Sequence, residues 1–117
     1  MSLTVYQHPK CTSCKKAISF LDKKKVDYRV IDITQKAPTK SELKKMLGFM
    51  GGEVKKLFNT SGIQYRELGL SKKVPEMSEK DALDLLASNG MLVKRPFILS
   101  ADSGVVGFKE DKFKEII

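Results

Sequence analysis

The strongest constraint on the fold lies in the first 33 residues. Residues 3–7, LTVYQ, have the β-branched and aromatic content of a short strand, and Pro9 should end it because proline has no N–H to give a ladder. Cys14, Ala17, Ile18 and Leu21 then recur at the spacing of an amphipathic helix, with Thr12 as the expected N-cap. Residues 26–33, VDYRVIDI, alternate toward a second strand. Strand, helix and strand in so short a span make a βαβ unit, which requires parallel strands joined by a crossover helix.

The middle of the chain changes character. Thr39-Lys40-Ser41-Glu42 is a capping box, followed by Leu43, Met46, Leu47 and Met50 at helical spacing. Gly51-Gly52 interrupts, residues 53–58 read as another short helix, and residues 61–70 as a loop with a helical turn. Ser78 to Asp81 resembles a second capping box with Asp in the reaching position. It opens a helix that carries Ala82, Leu85 and Leu86 and closes at the C-cap pair Asn89-Gly90. Strand signals return at 96–100 and 105–108 around the hairpin-type loop ADSG. A last helix is expected over 109–117, with Glu110 and Asp111 in its first turn and Phe113, Ile116 and Ile117 as its apolar face. Residues 1–117 thus read as one α/β domain, βαβ–helices–ββα, with an all-helical insertion over about 39–90.

Composition narrows the class of protein. A chain of 117 residues can bury a core without staples, and two cysteines cannot form a disulfide framework. The N-terminus lacks the charged and apolar regions of a signal peptide, and no segment approaches the roughly 18 apolar residues of a membrane span. The expected location is the cytoplasm, where a close cysteine pair is more often catalytic or metal-binding than structural. The net charge of +8 is almost all lysine, Arg29, Arg66 and Arg95 being the only arginines. Such a field can draw anionic substrates, an acidic protein or nucleic acid. The lysine runs sit among acidic residues without alternating aromatics, so a solvated surface is expected and direct nucleic-acid binding is not.

Both cysteines lie in HPKCTSC, residues 8–14. At a strand-to-helix junction, Cys11 meets the unpaired N–H groups and positive end of the helix, which favour the nucleophilic thiolate. Cys14, one turn on, can attack a mixed disulfide on Cys11, and Lys10 and Lys15 add positive charge. The alternatives are a metal site and inert buried thiols. Structural zinc wants about four ligands, whereas His8, Cys11 and Cys14 supply three and the chain has no other cysteine or histidine, so no metal is expected. Burial as a small hydrophobe fits Cys14 better than Cys11. His8, a lone loop histidine beside a proline, is left out of the catalytic set. In thioredoxin-like folds the X-Pro bond entering a strand near the reactive cysteines is commonly cis, which directs attention to Arg95-Pro96. Opposite Cys11, Arg95 would offer a planar fork to an oxyanion or carboxylate and stabilise the thiolate; otherwise it is a surface arginine beside a strand-starting proline.

With these residues in place, the chain resembles the ArsC/Spx family of glutaredoxin-linked arsenate reductases and Spx-type regulators of Gram-positive bacteria. YQHPKCTSCKKAISFL, LFNTSGIQYRELGL and KRPFILSADSGVVGFKED carry the resemblance, nearly end to end. It implies a thioredoxin-like (glutaredoxin-like) fold with a four-stranded mixed sheet and a helical insertion. It implies Cys11 as the reactive cysteine, Arg95 as the arginine before a cis Pro96, and Cys14 as the second cysteine of an Spx-type redox-active disulfide. Family reductases hold their oxyanion with three arginines. Here Asn59 stands in place of one, able to donate only a hydrogen bond, and Lys109 near another, a point charge rather than a fork. Gly51-Gly52 lies near the regulators' polymerase-contacting glycine without aligning onto either residue, and TSGIQYRELGL looks closer to the reductase branch. The resemblance therefore implies a thiol–disulfide reductase acting on a small oxyanion or disulfide. It would have no bound cofactor and would be recycled by an external thiol such as glutathione, glutaredoxin or thioredoxin. The alternative is a redox-sensing regulator that binds the C-terminal domain of the RNA polymerase α subunit.

Overall fold

Strand β1 (Ser2–Gln7), helix α1 (Thr12–Lys23) and strand β2 (Asp27–Asp32) build the expected βαβ unit in a computed structural model that describes residues 2–107. β1 and β2 are parallel, in register from Ser2 opposite Asp27 to Gln7 opposite Asp32. On its other side β1 pairs antiparallel with β3 (Phe97–Leu99), which pairs antiparallel with β4 (Gly104–Val106). The result is a four-stranded mixed sheet in the order β2-β1-β3-β4. β1 is a central strand, and its Leu3, Val5 and Tyr6 are buried because both of its faces are covered.

Alternation sorts the strand residues between two cores. Val5, Ile98 and Val105 form one row across the sheet and pack with Leu3 against Ala17 and Leu21 of α1. Ile31, Tyr6, Phe97 and Val106 form the next row, facing the insertion, with the Tyr6 and Phe97 rings edge to face at 5.7 Å. The insertion comprises α2 (Lys40–Phe49), α3 (Ile63–Glu67), α4 (Leu70–Lys73) and α5 (Glu79–Ser88), with 3-10 turns at Val54–Leu57, Val74–Glu76 and Gly90–Leu92. The capping box of α2 is complete. Glu42 also accepts from the buried Tyr6 hydroxyl at 2.6 Å, tying the insertion to β1. Burial alone would raise the Glu42 pKa, but hydrogen bonds from Thr39 and Tyr6 outweigh it and hold the carboxyl below its usual range.

Several local expectations need correction. The N-cap of α1 is Cys11, and Thr12 is the first helical residue. Residues 53–58 supply only the 3-10 turn, and 61–70 supply the short helix α3 and the start of α4. α5 buries Ala82, Leu83 and Leu86, leaving Leu85 half-buried, a stripe turned by one position from that expected. Its capping box is half formed: Ser78 accepts from the Asp81 N–H at 3.1 Å, and Asp81, one methylene shorter than Glu, makes no return bond. Asn89-Gly90 does not form a left-handed C-cap. Asn89 is extended, at φ −148°, and caps the next turn by accepting from the Met91 N–H at 3.0 Å. Gly90 is required for space, since a Cβ would come within 2.3 Å of the Ile33 carbonyl oxygen. β4 begins at Gly104, one residue earlier than expected, and ends at Val106 before a bend at Gly107; Phe108, the expected last strand residue, lies outside the described residues. The helix expected over 109–117 lies outside the described residues. Among the described residues no helix is long and apolar enough to cross a membrane.

Candidate functional site

After β1 the chain turns sharply into α1. The Ile33 N–H fixes the strand end by donating to the Gln7 carbonyl at 2.8 Å, and the Cys11 N–H closes the following turn onto the His8 carbonyl at 3.0 Å. The His8 ring stiffens the same turn, Nδ1 accepting from the Lys10 N–H at 3.0 Å. Cys11 then adopts the extended backbone of an N-cap, and its Sγ accepts from the Cys14 N–H at 3.2 Å. The sulfur is thus itself the capping atom of a 12-residue helix, at the end whose N–H groups complement negative charge. No interaction links the His8 ring to either sulfur among the described residues. Asp32 is its electrostatic neighbour, with a carboxyl lowered chiefly by the hydrogen bond from the Thr34 hydroxyl.

The two free thiols differ sharply. Cys11 is half-buried, whereas Cys14 is fully buried on the apolar stripe of α1. Burial pushes the Cys14 thiol up to about 12, and its hydrogen bond with Cys11 pushes the same way. A backbone hydrogen bond from His8 and the charge of Arg95 oppose the rise without overcoming it. Cys14 thus feels both Cys11 and the charge of Arg95, although Arg95 lies more than eighty positions along the chain from Cys11.

The Arg95–Pro96 peptide is cis, and Pro96 is buried where β3 begins. Arg95 is half-buried, and its Nη1 donates to Met91 Sδ at 3.8 Å. Among the described residues the only ion pairs are Lys40–Asp84 and Lys56–Glu53, so no carboxylate neutralises Arg95.

The remaining expected residues are placed less closely. Residues 57–59 run antiparallel to 92–94 through the Phe58–Val93 bridge, the Asn59 N–H donating to the Leu92 carbonyl at 2.7 Å. The Asn59 carboxamide lies over Gly62, where a Cβ would meet its Nδ2 at 2.8 Å. Asn59 therefore supports the segment leading to Arg95, and no hydrogen bond joins it to either sulfur or to Arg95 among the described residues. Lys109 lies outside the described residues, which end beside Pro96 where the Gly107 N–H donates to the Pro96 carbonyl at 2.9 Å. Among the described residues no group of three or more His, Cys, Asp or Glu could hold a metal ion. The sequence reading missed Met91 and the Asn89-Gly90 turn that carries it. Asn-Gly signals a turn, but nothing in a lone methionine signals an arginine contact.

A half-buried thiol capping a helix, a second thiol one turn behind it and an arginine with no carboxylate partner among the described residues form an arrangement suited to two-electron sulfur chemistry. Comparison with known proteins bears on the same point. The model of the ArsC family matches residues 6–116. YusI, an uncharacterized protein of Bacillus subtilis strain 168, is 48% identical over 115 residues, covering 98% of each chain. The global transcriptional regulator Spx of Streptococcus pyogenes serotype M1 is 30% identical over 115 residues, covering 98% of this chain and 84% of Spx. The solved structure of a candidate arsenate reductase from Streptococcus mutans UA159 superposes with a TM-score of 0.87 at 41% identity, covering 96% of this chain and 97% of that one. The fold is accordingly the thioredoxin-like α/β fold expected. From its match over nearly the whole length, this chain belongs to the ArsC family.

Proposed function

We propose that the protein is a thiol-dependent reductase in which Cys11 is the nucleophile, Cys14 the resolving thiol and Arg95 the anion-binding cation. The observation that carries this reading is the Cys11 sulfur acting as helix cap directly above Cys14. Membership of the ArsC family supports the reaction class. With a mixed disulfide as substrate, the Cys11 thiolate attacks one sulfur, the S–S bond breaks, and the leaving thiolate departs with the electron pair. Cys14 then loses its proton to solvent and attacks the Cys11 sulfur, releasing the bound thiol and forming the Cys11–Cys14 disulfide, which two electrons from an external dithiol or two glutathiones reduce. With arsenate, the Cys11 sulfur displaces an oxygen that leaves as water. Attack by a second thiol on that sulfur then returns the S–As electron pair to arsenic as arsenite. Because burial keeps Cys14 protonated at neutral pH, an external thiol competes well for the resolving step. With Asn59 turned to Gly62, Arg95 offers a single fork, which favours a carboxylate-bearing mixed disulfide over tight binding of a bare oxyanion.

The test is turnover of arsenate and of a glutathione mixed disulfide in parallel. Cys11→Ser abolishes both activities, whereas Cys14→Ser, given the mixed disulfide without external thiol, accumulates a Cys11-linked mixed disulfide visible as a mass increase on the intact protein. Full turnover in Cys11→Ser overturns the proposal. A second reading draws on the likeness to Spx and the Cys-x-x-Cys pair: a redox switch that governs binding to the C-terminal domain of the RNA polymerase α subunit. Pull-down with that domain under oxidising and reducing conditions separates the two, and no binding in either state removes the regulator.

A further inference from the structure

The turn before β3 holds its arginine through a neutral sulfur. Asn89 accepts from the Met91 N–H at 3.0 Å through Oδ1 and donates to Gln64 Oε1 at 2.7 Å through Nδ2. Gly90 is pressed against the Ile33 backbone, where no Cβ would fit, and the Val93 N–H closes the turn onto the Gly90 carbonyl at 3.1 Å. The backbone at residue 91 is fixed from three directions, and from it the half-buried Met91 side chain reaches Arg95, whose Nη1 donates to Sδ at 3.8 Å.

A thioether is a weak, uncharged acceptor, so it can orient one arm of a guanidinium without cancelling the charge. A carboxylate in the same place would form a bidentate pair and occupy the fork. Among the described residues no carboxylate pairs with Arg95, and Met91 takes one of its five N–H donors. We infer that Met91 is a positioning residue that aims the Arg95 guanidinium at the Cys11–Cys14 site while leaving its charge free for an anionic ligand. This rests on the role given to Arg95 above. A neutral acceptor suits a site whose cation must be held still when empty and remain unpaired until an anion arrives.

The test compares alkylation rates of Cys11 by anionic iodoacetate and neutral iodoacetamide in the full-length reduced protein, with peptide mass spectrometry assigning the site. The ratio of the two rates cancels the intrinsic nucleophilicity of the sulfur and reports the local positive field. Arg95→Ala lowers the ratio about tenfold and Met91→Leu about threefold, with no further loss when the two are combined, because the second acts only through the first. Met91→Gln retains an acceptor at similar volume and keeps the ratio near wild type, which separates orientation from packing. A ratio lowered by Arg95→Ala but unmoved by Met91→Leu overturns the inference alone, as does a Met91→Leu effect that persists undiminished in Arg95→Ala. A ratio unmoved by Arg95→Ala overturns the role of Arg95 as well, while the sulfur chemistry is judged separately by Cys11→Ser turnover.

Discussion

The two arms of the site are held in opposite ways. Cys11 is placed by consecutive residues: the end of β1, the turn at residues 8–11 and the first turn of α1. Arg95 is placed from remote segments: Ile33 after β2, residues 57–59 and Gln64 of α3, all acting through residues 89–94. The first arm is a strand-to-helix junction that forms wherever the βαβ unit forms. The second exists only when the insertion is packed against the sheet. The placement of the Cys11 sulfur is thus local, while that of the Arg95 charge depends on the whole fold.

The row Tyr6–Phe97–Val106 joins the arms, since Phe97 directly follows the cis peptide and packs edge to face on the strand leading to Cys11. Phe97 is fully buried. Phe97→Ala is expected to cost about 3–5 kcal/mol in urea unfolding, the largest stability effect considered, because a ring-sized cavity opens at the sheet centre. A loss under about 1 kcal/mol would mean that the insertion face repacks freely and that the arms are not mechanically joined.

Gly90→Ala attacks the remote arm alone. Its Cβ would meet a backbone carbonyl, which cannot rotate away as a side chain could. The expected cost is about 2–3 kcal/mol, with a shift of the 3-10 turn that carries Met91. The Cys11 iodoacetamide rate should stay near wild type while the iodoacetate rate falls. Equal falls in both rates would show that the arms move together.

The same contrast explains what the sequence made legible. The βαβ unit, the helical insertion, the hairpin and the pairing of Cys11 with Cys14 follow from periodicity and spacing within short windows. Two of the slips within those windows have simple causes. A cysteine sulfur can cap a helix as Thr12 would have done, and Asn89-Gly90, read as an ending, instead opens the next turn. Arg95 was visible because a proline followed it. Met91 was not, since a methionine beside Leu92 reads as core filling, and its contact depends on a turn fixed by Ile33, 58 residues away in sequence. Non-local backbone placement leaves no local pattern to read.

Alkaline pH distinguishes the arms thermodynamically. The folded Cys14 pKa is raised to about 12, so the folded state keeps a proton that the unfolded chain loses. Its contribution to stability is complete below the unfolded value of about 8.5 and declines as pH rises toward the folded value, a loss of about 2 kcal/mol by pH 10. Tyr6 is also raised, first by burial, but an unfolded tyrosine keeps its proton to about pH 10, so its loss begins later. Cys14→Ala should flatten the decline between pH 8.5 and 10, and Tyr6→Phe should leave that window unchanged. Urea midpoints at pH 7, 8.5 and 10 decide it, and an unchanged slope in Cys14→Ala would show that Cys14 is not protonated by burial.

The smallest effect is the sharpest within the local arm. Cys11 caps α1 and Cys14 lies in its first turn, yet serine should be accepted at the first and resisted at the second. At Cys11 the side chain is a half-buried N-cap that accepts a backbone N–H, the role serine fills best, so Cys11→Ser should leave stability within about 0.5 kcal/mol of wild type and can raise it. At Cys14 the side chain is fully buried among Ala17 and Leu21, and a hydroxyl there should cost about 1–2 kcal/mol. Thermal unfolding of the two variants measures the difference directly. A destabilised Cys11→Ser would mean that the sulfur contributes more to the helix start than its cap bond, and loss of turnover in that variant could then no longer be assigned to the nucleophile alone.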